Sequence, residues 1–149
     1  MKTLQRRRVL QALLTVSAVM ALPIRALARA TDAFSSKSVD NALTNLLGGL
    51  AIEESEQIKF KIPDIAENGA VVPVRISTTL EDVDRIYLLI DKNPTPLSAV
   101  FEIGPRIMPD VSTRVKIGKS SVARVIVRAG GKAYMTSKEV KVTIGGCGG

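Results

Sequence analysis

Hydrophobic positions recur with a period of two through most of the chain beyond residue 57. Apolar residues alternate with polar ones in a series of short stretches, the spacing of strands that bury one face. The stretches begin near Ile58, Val72, Ile86, Leu97, Val111, Ala123 and Tyr134. Gly, Pro and Asn separate them at intervals of about ten residues. The pattern predicts an all-β fold, an antiparallel β-sandwich of seven or eight short strands.

Turn residues mark where several of these strands end. Asn68-Gly69 precedes the second stretch, and Gly130-Gly131 predicts a tight hairpin between the last two. Asn93-Pro94 and Pro96 indicate a loop. Asp82 and Asp84 resemble the start of a calcium loop, but no Gly or late Glu follows at the required spacing, which favours turn residues.

A helical period replaces the strand period ahead of the sandwich. Ser38 is a good N-cap residue and Gly48-Gly49 can end a helix. Between them, and just beyond, apolar residues recur at helical spacing at Val39, Ala42, Leu43, Leu46, Leu47 and Leu50. We expect a helix over 38–48 that covers one side of the sandwich. A helix lying on a membrane is the alternative, although its polar face has no Lys or Arg.

The segments on either side of this helix are polar. Residues 31–37 are expected to be irregular. Glu53, Glu54 and Glu56 follow the helix, and a solvated acidic stretch is favoured over a metal site because the spacing gives no ligand geometry.

The first 30 residues have the composition of an export signal. A basic start precedes an apolar run from Ala12 to Leu22 and then small residues. The run is too short to span a bilayer as a helix. Arg6 and Arg7 resemble a twin-arginine signal, with a general secretory signal as the alternative. Cleavage after Ala28 or Ala30 would leave a periplasmic protein with no membrane span, divided into residues 31–144, one domain, and residues 145–149.

The charge distribution excludes a nucleic-acid partner. The formal net charge is +7, from 21 bases and 14 acids. Six of the bases lie in the first 30 residues, which contain no acid. Without them, 15 bases face 14 acids, so no basic footprint for nucleic acid is left.

Residues 145–149 hold the only cysteine, Cys147, between Gly145, Gly146, Gly148 and Gly149. Four glycines predict a flexible arm with an exposed thiol. The arm carries no cation that would lower the thiol pKa, and the chain has no His to act as a general base near neutral pH. The pattern therefore favours a non-enzymatic carrier that binds a covalent cargo on Cys147, with no metal or cofactor of its own.

The ending from Val140 to Gly149 resembles that of SoxY, the sulfur carrier of periplasmic sulfur oxidation. The segments Ile65-Ala66-Glu67-Asn68-Gly69 and Asp91-Lys92-Asn93-Pro94 support the resemblance. It implies an immunoglobulin-like sandwich and thiosulfate-derived sulfur on Cys147. It also implies a heterodimer with a SoxZ-like subunit, a c-type cytochrome loading enzyme, a sulfonate hydrolase and a sulfane dehydrogenase.

Two other functions remain open from the residues. One is an exported immunoglobulin-like scaffold or adhesion module in which Cys147 forms an intermolecular disulfide. The other is a carrier that uses Gly148-Gly149 as a terminal thiocarboxylate, as ubiquitin-like sulfur carriers do; the export signal argues against it. The sequence does not show which face binds a partner or which cargo state dominates on Cys147.

Overall fold

The computed structural model describes residues 32–143. Within this range residues 32–35 are helical and one further helix follows, α1 (Val39–Leu47). The strands are β1 (Ile52–Glu54), β2 (Ile58–Lys61), β3 (Ile65–Ala66), β4 (Val72–Thr78), β5 (Val83–Ile90), β6 (Leu97–Glu102), β7 (Asp110–Val115), β8 (Ser121–Ala129) and β9 (Lys132–Val142).

The strands form two sheets. The larger has the order β1-β9-β8-β5-β6, with β3 also paired to β9, and the smaller has the order β2-β4-β7. All seven predicted strands are present and pair with one another antiparallel. The predicted β-sandwich is thus confirmed. β1 and β3 were not predicted, and both pair in parallel with β9. With three and two residues, they are too short to show a period.

The main core lies between the two sheets. Alternate residues of β4, β5 and β8 point into it, so that Ile76, Ile86, Leu88, Val125 and Val127 are all fully buried. These are the positions at which the period of two predicted an inward face. Val, Ile and Leu fill most of this core, and its aromatic side chains are Phe60 and the partly buried Phe101 and Tyr134.

A second core covers the opposite face of the larger sheet. Tyr87, Leu89 and Ile126 alternate with the inward residues and pack with Ala42 and Leu47 of α1. β5 is therefore buried on both faces from Ile86 to Ile90, which is why this stretch of the sequence is almost continuously apolar.

The predicted helix is confirmed together with both caps. The Ser38 hydroxyl accepts a hydrogen bond from the Asn41 amide at 3.3 Å, and Gly48 has a left-handed backbone with φ 63°. The Ser38 hydroxyl provides a partner for an amide at the start of the helix, and the Gly48 amide donates to the Thr44 carbonyl at its end.

The segment before α1 differs from the prediction. Instead of being irregular throughout, residues 32–35 are helical, Ala33 is fully buried in the second core and Ser36 is 8% exposed. The Asn45 side chain donates to the Ser36 hydroxyl at 3.3 Å. The prediction was wrong because side chains as small as those of alanine and serine can be buried, although the segment as a whole is polar.

The turns agree with their residue types. Gly130 and Gly131 have φ of 55° and 76° and close the β8–β9 hairpin. Asp82 also has a left-handed φ of 52°, as a turn residue can, whereas Asp84 lies within β5. Glu53 and Glu54 are exposed on β1.

Candidate functional site

The predicted site residues fall outside the described part of the chain. Cys147, Gly145, Gly146, Gly148, Gly149, Arg6 and Arg7 all do so, as do the predicted cleavage positions after Ala28 and Ala30. What the structure describes is the place from which the predicted arm leaves. We call residues 141–143, the last three that are described, the arm root.

The arm root is held by backbone hydrogen bonds on the side that faces β3. β8 pairs with β9 from Lys132 to Val140, and beyond that point β3 takes over on the other edge, with Ala66 opposite Val142. The Lys141 amide donates to the Asp64 carbonyl at 2.8 Å, and the Thr143 amide donates to the Ala66 carbonyl at 3.1 Å. These bonds fix the direction of the chain up to the last described residue.

On the side facing β8, a side chain replaces the missing strand partner. The Val142 amide donates to the Ser120 hydroxyl at 2.9 Å. Ser120 is the residue before β8 begins, where no carbonyl of β8 is in register with Val142. All three amides of the arm root are therefore satisfied, which stabilises β9 to its end.

Gly69 closes the third side of the arm root. Its carbonyl accepts from the Ile117 amide at 2.6 Å. A methyl group at Gly69 would lie 2.9 Å from the Val142 side chain and still closer to the Ile117 carbonyl oxygen. The turn after β3 can approach this closely only because residue 69 has no side chain.

A cleft opens next to the arm root between two loops. Asn93 joins these loops: its side-chain amide donates to the Lys116 carbonyl at 2.8 Å, and its side-chain oxygen accepts from the Gly118 amide at 3.1 Å. The Lys92 amide also donates to the Ser121 hydroxyl at 3.0 Å. Both walls are thus tied to the residues that lead into β8.

The cleft is lined by cations and has a volume of about 830 Å³. No Asp or Glu of the described residues lines it. We call it the basic cleft, and its polar lining residues are Lys92, Asn93, Thr95, Ser98, Arg114, Lys116 and Lys119.

Three aspartates of the described residues are already paired with arginines away from the basic cleft. Arg128 donates to Asp84 and lowers the pKa of that carboxyl, and the hydrogen bond from Arg75 lowers the pKa of Asp110. The Asp91 carboxylate, adjacent to Lys92 in the chain, accepts from the Arg124 guanidinium at 2.8 and 2.9 Å. Each acid is therefore already bound to an arginine outside the basic cleft.

Sequence reasoning identified parts of this site without showing that they meet. The two segments that support the SoxY resemblance, 65–69 and 91–94, converge on the arm root through residues 116–120. Ser120 was not predicted to have a role, and no local pattern marks it. Its function depends on a register that only the paired strands define.

Neither a metal site nor a membrane-spanning helix is found in residues 32–143. No three His, Cys, Asp or Glu side chains of that range are placed to hold a metal ion. None of its helices has the length and apolar character needed to cross a bilayer.

Comparison with solved structures shows the same fold in a sulfur carrier. The structure of the sulfur carrier protein SoxY from Chlorobium limicola f thiosulfatophilum is 42% identical in sequence, with a TM-score of 0.66, and the match covers 72% of this chain and 97% of that one. A superoxide reductase (neelaredoxin) from Ignicoccus hospitalis, 21% identical with a TM-score of 0.53, shares only the fold; the match covers 59% of this chain and 81% of that one.

Sequence comparison agrees with the structural one. No curated protein matches this chain. The family model described as sulfur oxidation protein SoxY matches residues 43–147, a range that begins in α1 and ends at the cysteine. Since this match spans most of the chain and the solved SoxY has the same fold at 42% identity, the chain belongs to the SoxY family of sulfur oxidation proteins.

Proposed function

We propose that this protein carries covalent sulfur intermediates on Cys147 and presents them to partner enzymes, without being an enzyme itself. The observation that supports this most is the construction of the arm root. Hydrogen bonds to Ala66 and Ser120 hold the chain in place as far as Thr143, and the only cysteine follows four residues later. An extended chain of that length reaches about 14 Å at most. The thiol can enter an active site while the sandwich stays outside it.

Family membership supports the same function. The relative that matches at 42% identity is a sulfur carrier protein, and the SoxY family match extends as far as Cys147. The glycines around Cys147 serve a carrier because a chain without side chains fits a narrow channel. Ordering such a chain costs about 1–2 kcal/mol per residue, which keeps each visit to an enzyme short.

The cargo that fits a thiol carrier is thiosulfate-derived sulfur. The Cys147 thiolate and thiosulfate would join through a new sulfur–sulfur bond, giving a Cys147 S-thiosulfonate and releasing two electrons. A c-type cytochrome complex would accept these electrons. A hydrolase would then add water, release sulfate and two protons, and leave a persulfide on Cys147 for a sulfane dehydrogenase. Thiol–sulfur exchange suits this cargo because the same bond type is formed and broken at each transfer.

Export and partnership complete the proposal. Arg6 and Arg7 would direct the chain to the periplasm through the twin-arginine route, which carries folded proteins. Export of the chain already assembled with a SoxZ-like subunit would be one reason to use this route. The sequence supports the twin-arginine signal, and membership of the SoxY family supports the heterodimer and the three enzymes.

The central test replaces the thiol. Cys147→Ser should abolish thiosulfate-dependent turnover in a system reconstituted with the partner enzymes, because a hydroxyl cannot form the sulfur–sulfur bond. The free energy of unfolding should be unchanged. Intact mass after incubation with thiosulfate and the loading enzyme should show a sulfur adduct on the wild-type chain and none on the variant.

A relocated thiol provides the matched control. Ser137 is exposed on β9, so Ser137→Cys in the Cys147→Ser background restores a thiol on the rigid sheet. Turnover should remain absent because that thiol cannot reach into an active site. Full turnover of Cys147→Ser would contradict the carrier function. A disulfide-linked dimer as the sole modified product of the wild-type chain would favour the scaffold instead.

A further inference from the structure

The basic cleft brings four cationic side chains of the described residues onto one concave surface. Lys92, Arg114, Lys116 and Lys119 are all exposed at its walls, and none of them forms an ion pair within residues 32–143. Elsewhere in that range, arginines on the sheets pair with Asp84, Asp91, Asp110 and Glu102. Four like charges that share one concave surface repel one another unless an anion lies between them.

The walls of the basic cleft are fixed in position. Asn93 bonds to both the carbonyl of Lys116 and the amide of Gly118, and Lys92 is anchored to Ser121 through its amide. Lys92, Lys116 and Lys119 are therefore carried by two loops that are tied together, and Arg114 lies at the end of β7, which leads into one of them. Preorganised donors lose less entropy when they bind an anion than donors on free loops do.

The basic cleft also adjoins the arm root. Lys119 immediately precedes Ser120, whose hydroxyl binds the Val142 amide. Cys147 follows Thr143 by four residues, and a chain of that length reaches about 14 Å. A group on the Cys147 sulfur can thus reach the mouth of the cleft from the end of the same chain.

We propose that the basic cleft binds the sulfonate of the cargo carried on Cys147, so that the loaded arm docks on its own domain between enzyme visits. This rests on the proposed function for the identity of the cargo. A sulfonate offers three acceptor oxygens, which lysine and arginine bind with charge-assisted hydrogen bonds. The thiol and persulfide states lack those oxygens and are not held. Docking therefore distinguishes the loaded arm from the empty arm.

The expected strength lets the arm leave again. Exposed charge pairs are weak, so a free sulfur oxyanion should bind with a dissociation constant on the order of millimolar. A short tether gives an effective concentration of the same order. Docked and undocked arms would then be similarly populated, and a partner enzyme could capture the undocked form.

The test compares the loaded chain with a free anion. Tetrathionate loads the cysteine without an enzyme: the Cys147 thiolate attacks an inner sulfur, the S-thiosulfonate forms and thiosulfate leaves. Amide resonances of Asn93 and Gly118 are then followed by NMR. Loading should shift both, and sodium sulfate at constant ionic strength should shift the same amides in Cys147→Ser, which has no cargo.

Two lysine variants distinguish anion binding in the basic cleft from an effect of the overall charge of the protein. Lys119→Gln should raise the sulfate dissociation constant by roughly threefold to tenfold and reduce the shifts on loading. Lys132→Gln removes the same charge at the opposite end of β9 and should change neither. Equal effects of the two variants would overturn a specific site.

The remaining outcomes distinguish this inference from the carrier function. Loading confirmed by intact mass but with unmoved Asn93 and Gly118 amides would overturn docking and leave the carrier function standing. Sulfate shifts in Cys147→Ser without shifts on loading would mean a site for a free anion, again overturning docking. If sulfate shifts neither amide, the basic cleft is not an anion site, whether or not Cys147 can be loaded. A failure of Cys147 to load would, by itself, count against the carrier function.

Discussion

At the scale of single residues, Tyr87 carries a polar group that the second core does not use. Its side chain is 1% exposed beneath α1, and its hydroxyl has no hydrogen-bond partner among the described residues. A buried hydroxyl without a partner loses its bonds to water and gains none in return. The ring, by contrast, fills space between Leu89 and Ile126. The stabilising part of this residue is therefore its ring.

Tyr87→Phe should leave stability unchanged or raise the free energy of unfolding by about 1 kcal/mol, since it removes only the unpaired hydroxyl. Urea denaturation measures this. Tyr134→Phe, in a half-buried position on β9, serves as the matched control and should change little. A loss of more than about 1 kcal/mol for Tyr87→Phe would mean that the hydroxyl is bonded.

At the scale of elements, the arm root depends on a turn and a two-residue strand. Asp64, just before β3, and Ala66 in β3 supply the backbone partners of Lys141 and Thr143. Gly69 lets the following turn lie against Ile117 and Val142. β3 contributes only the small side chain of Ala66 to the core, because Ile65 is 59% exposed. Its position therefore depends on this close approach more than on hydrophobic burial.

Gly69→Ala should destabilise the protein by about 1–3 kcal/mol, because the added methyl overlaps the Ile117 carbonyl and the Val142 side chain. Hydrogen exchange at Lys141 and Thr143 should accelerate. Gly118→Ala is the control: its nearest new neighbour would be Asn93 at 3.7 Å, an ordinary contact, so little change is expected. Equal costs for the two substitutions would contradict the packing described at Gly69.

At the scale of the whole molecule, the body and the arm are expected to have separate tasks. The two cores contain every fully buried large side chain of the described residues. The last described residue, Thr143, is hydrogen-bonded to Ala66. Residues 145–149 contain no bulky apolar side chain that could add to either core. Stability should thus reside in the sandwich, and delivery of cargo in the arm.

Gly146→Val and Gly148→Val should therefore impair turnover while changing the melting temperature little. A branched side chain restricts the backbone and widens the arm that must enter each enzyme, but it removes no contact from the sandwich. Turnover in the reconstituted system and a thermal scan measure the two effects. Gly146→Ala, a smaller change, should lie between wild type and valine in turnover. A large drop in melting temperature would show that the arm packs on the body.

The sequence by itself determined the local features of this protein. It predicted the helix with its Ser38 and Gly48 caps, the seven longer strands, the Gly130-Gly131 hairpin and the family, because each depends on neighbours within a few residues. The sequence also shows directly that Cys147 lies among four glycines in residues 145–149.

Only the tertiary structure decided which of these features meet. The parallel strands β1 and β3, the burial of both faces of β5 and the bond from Val142 to Ser120 depend on pairings between segments far apart in the chain. The basic cleft joins residues around Asn93 and Gly118, 25 positions apart, by the same means. No local period encodes such contacts, since their partners are chosen by the packing of whole sheets.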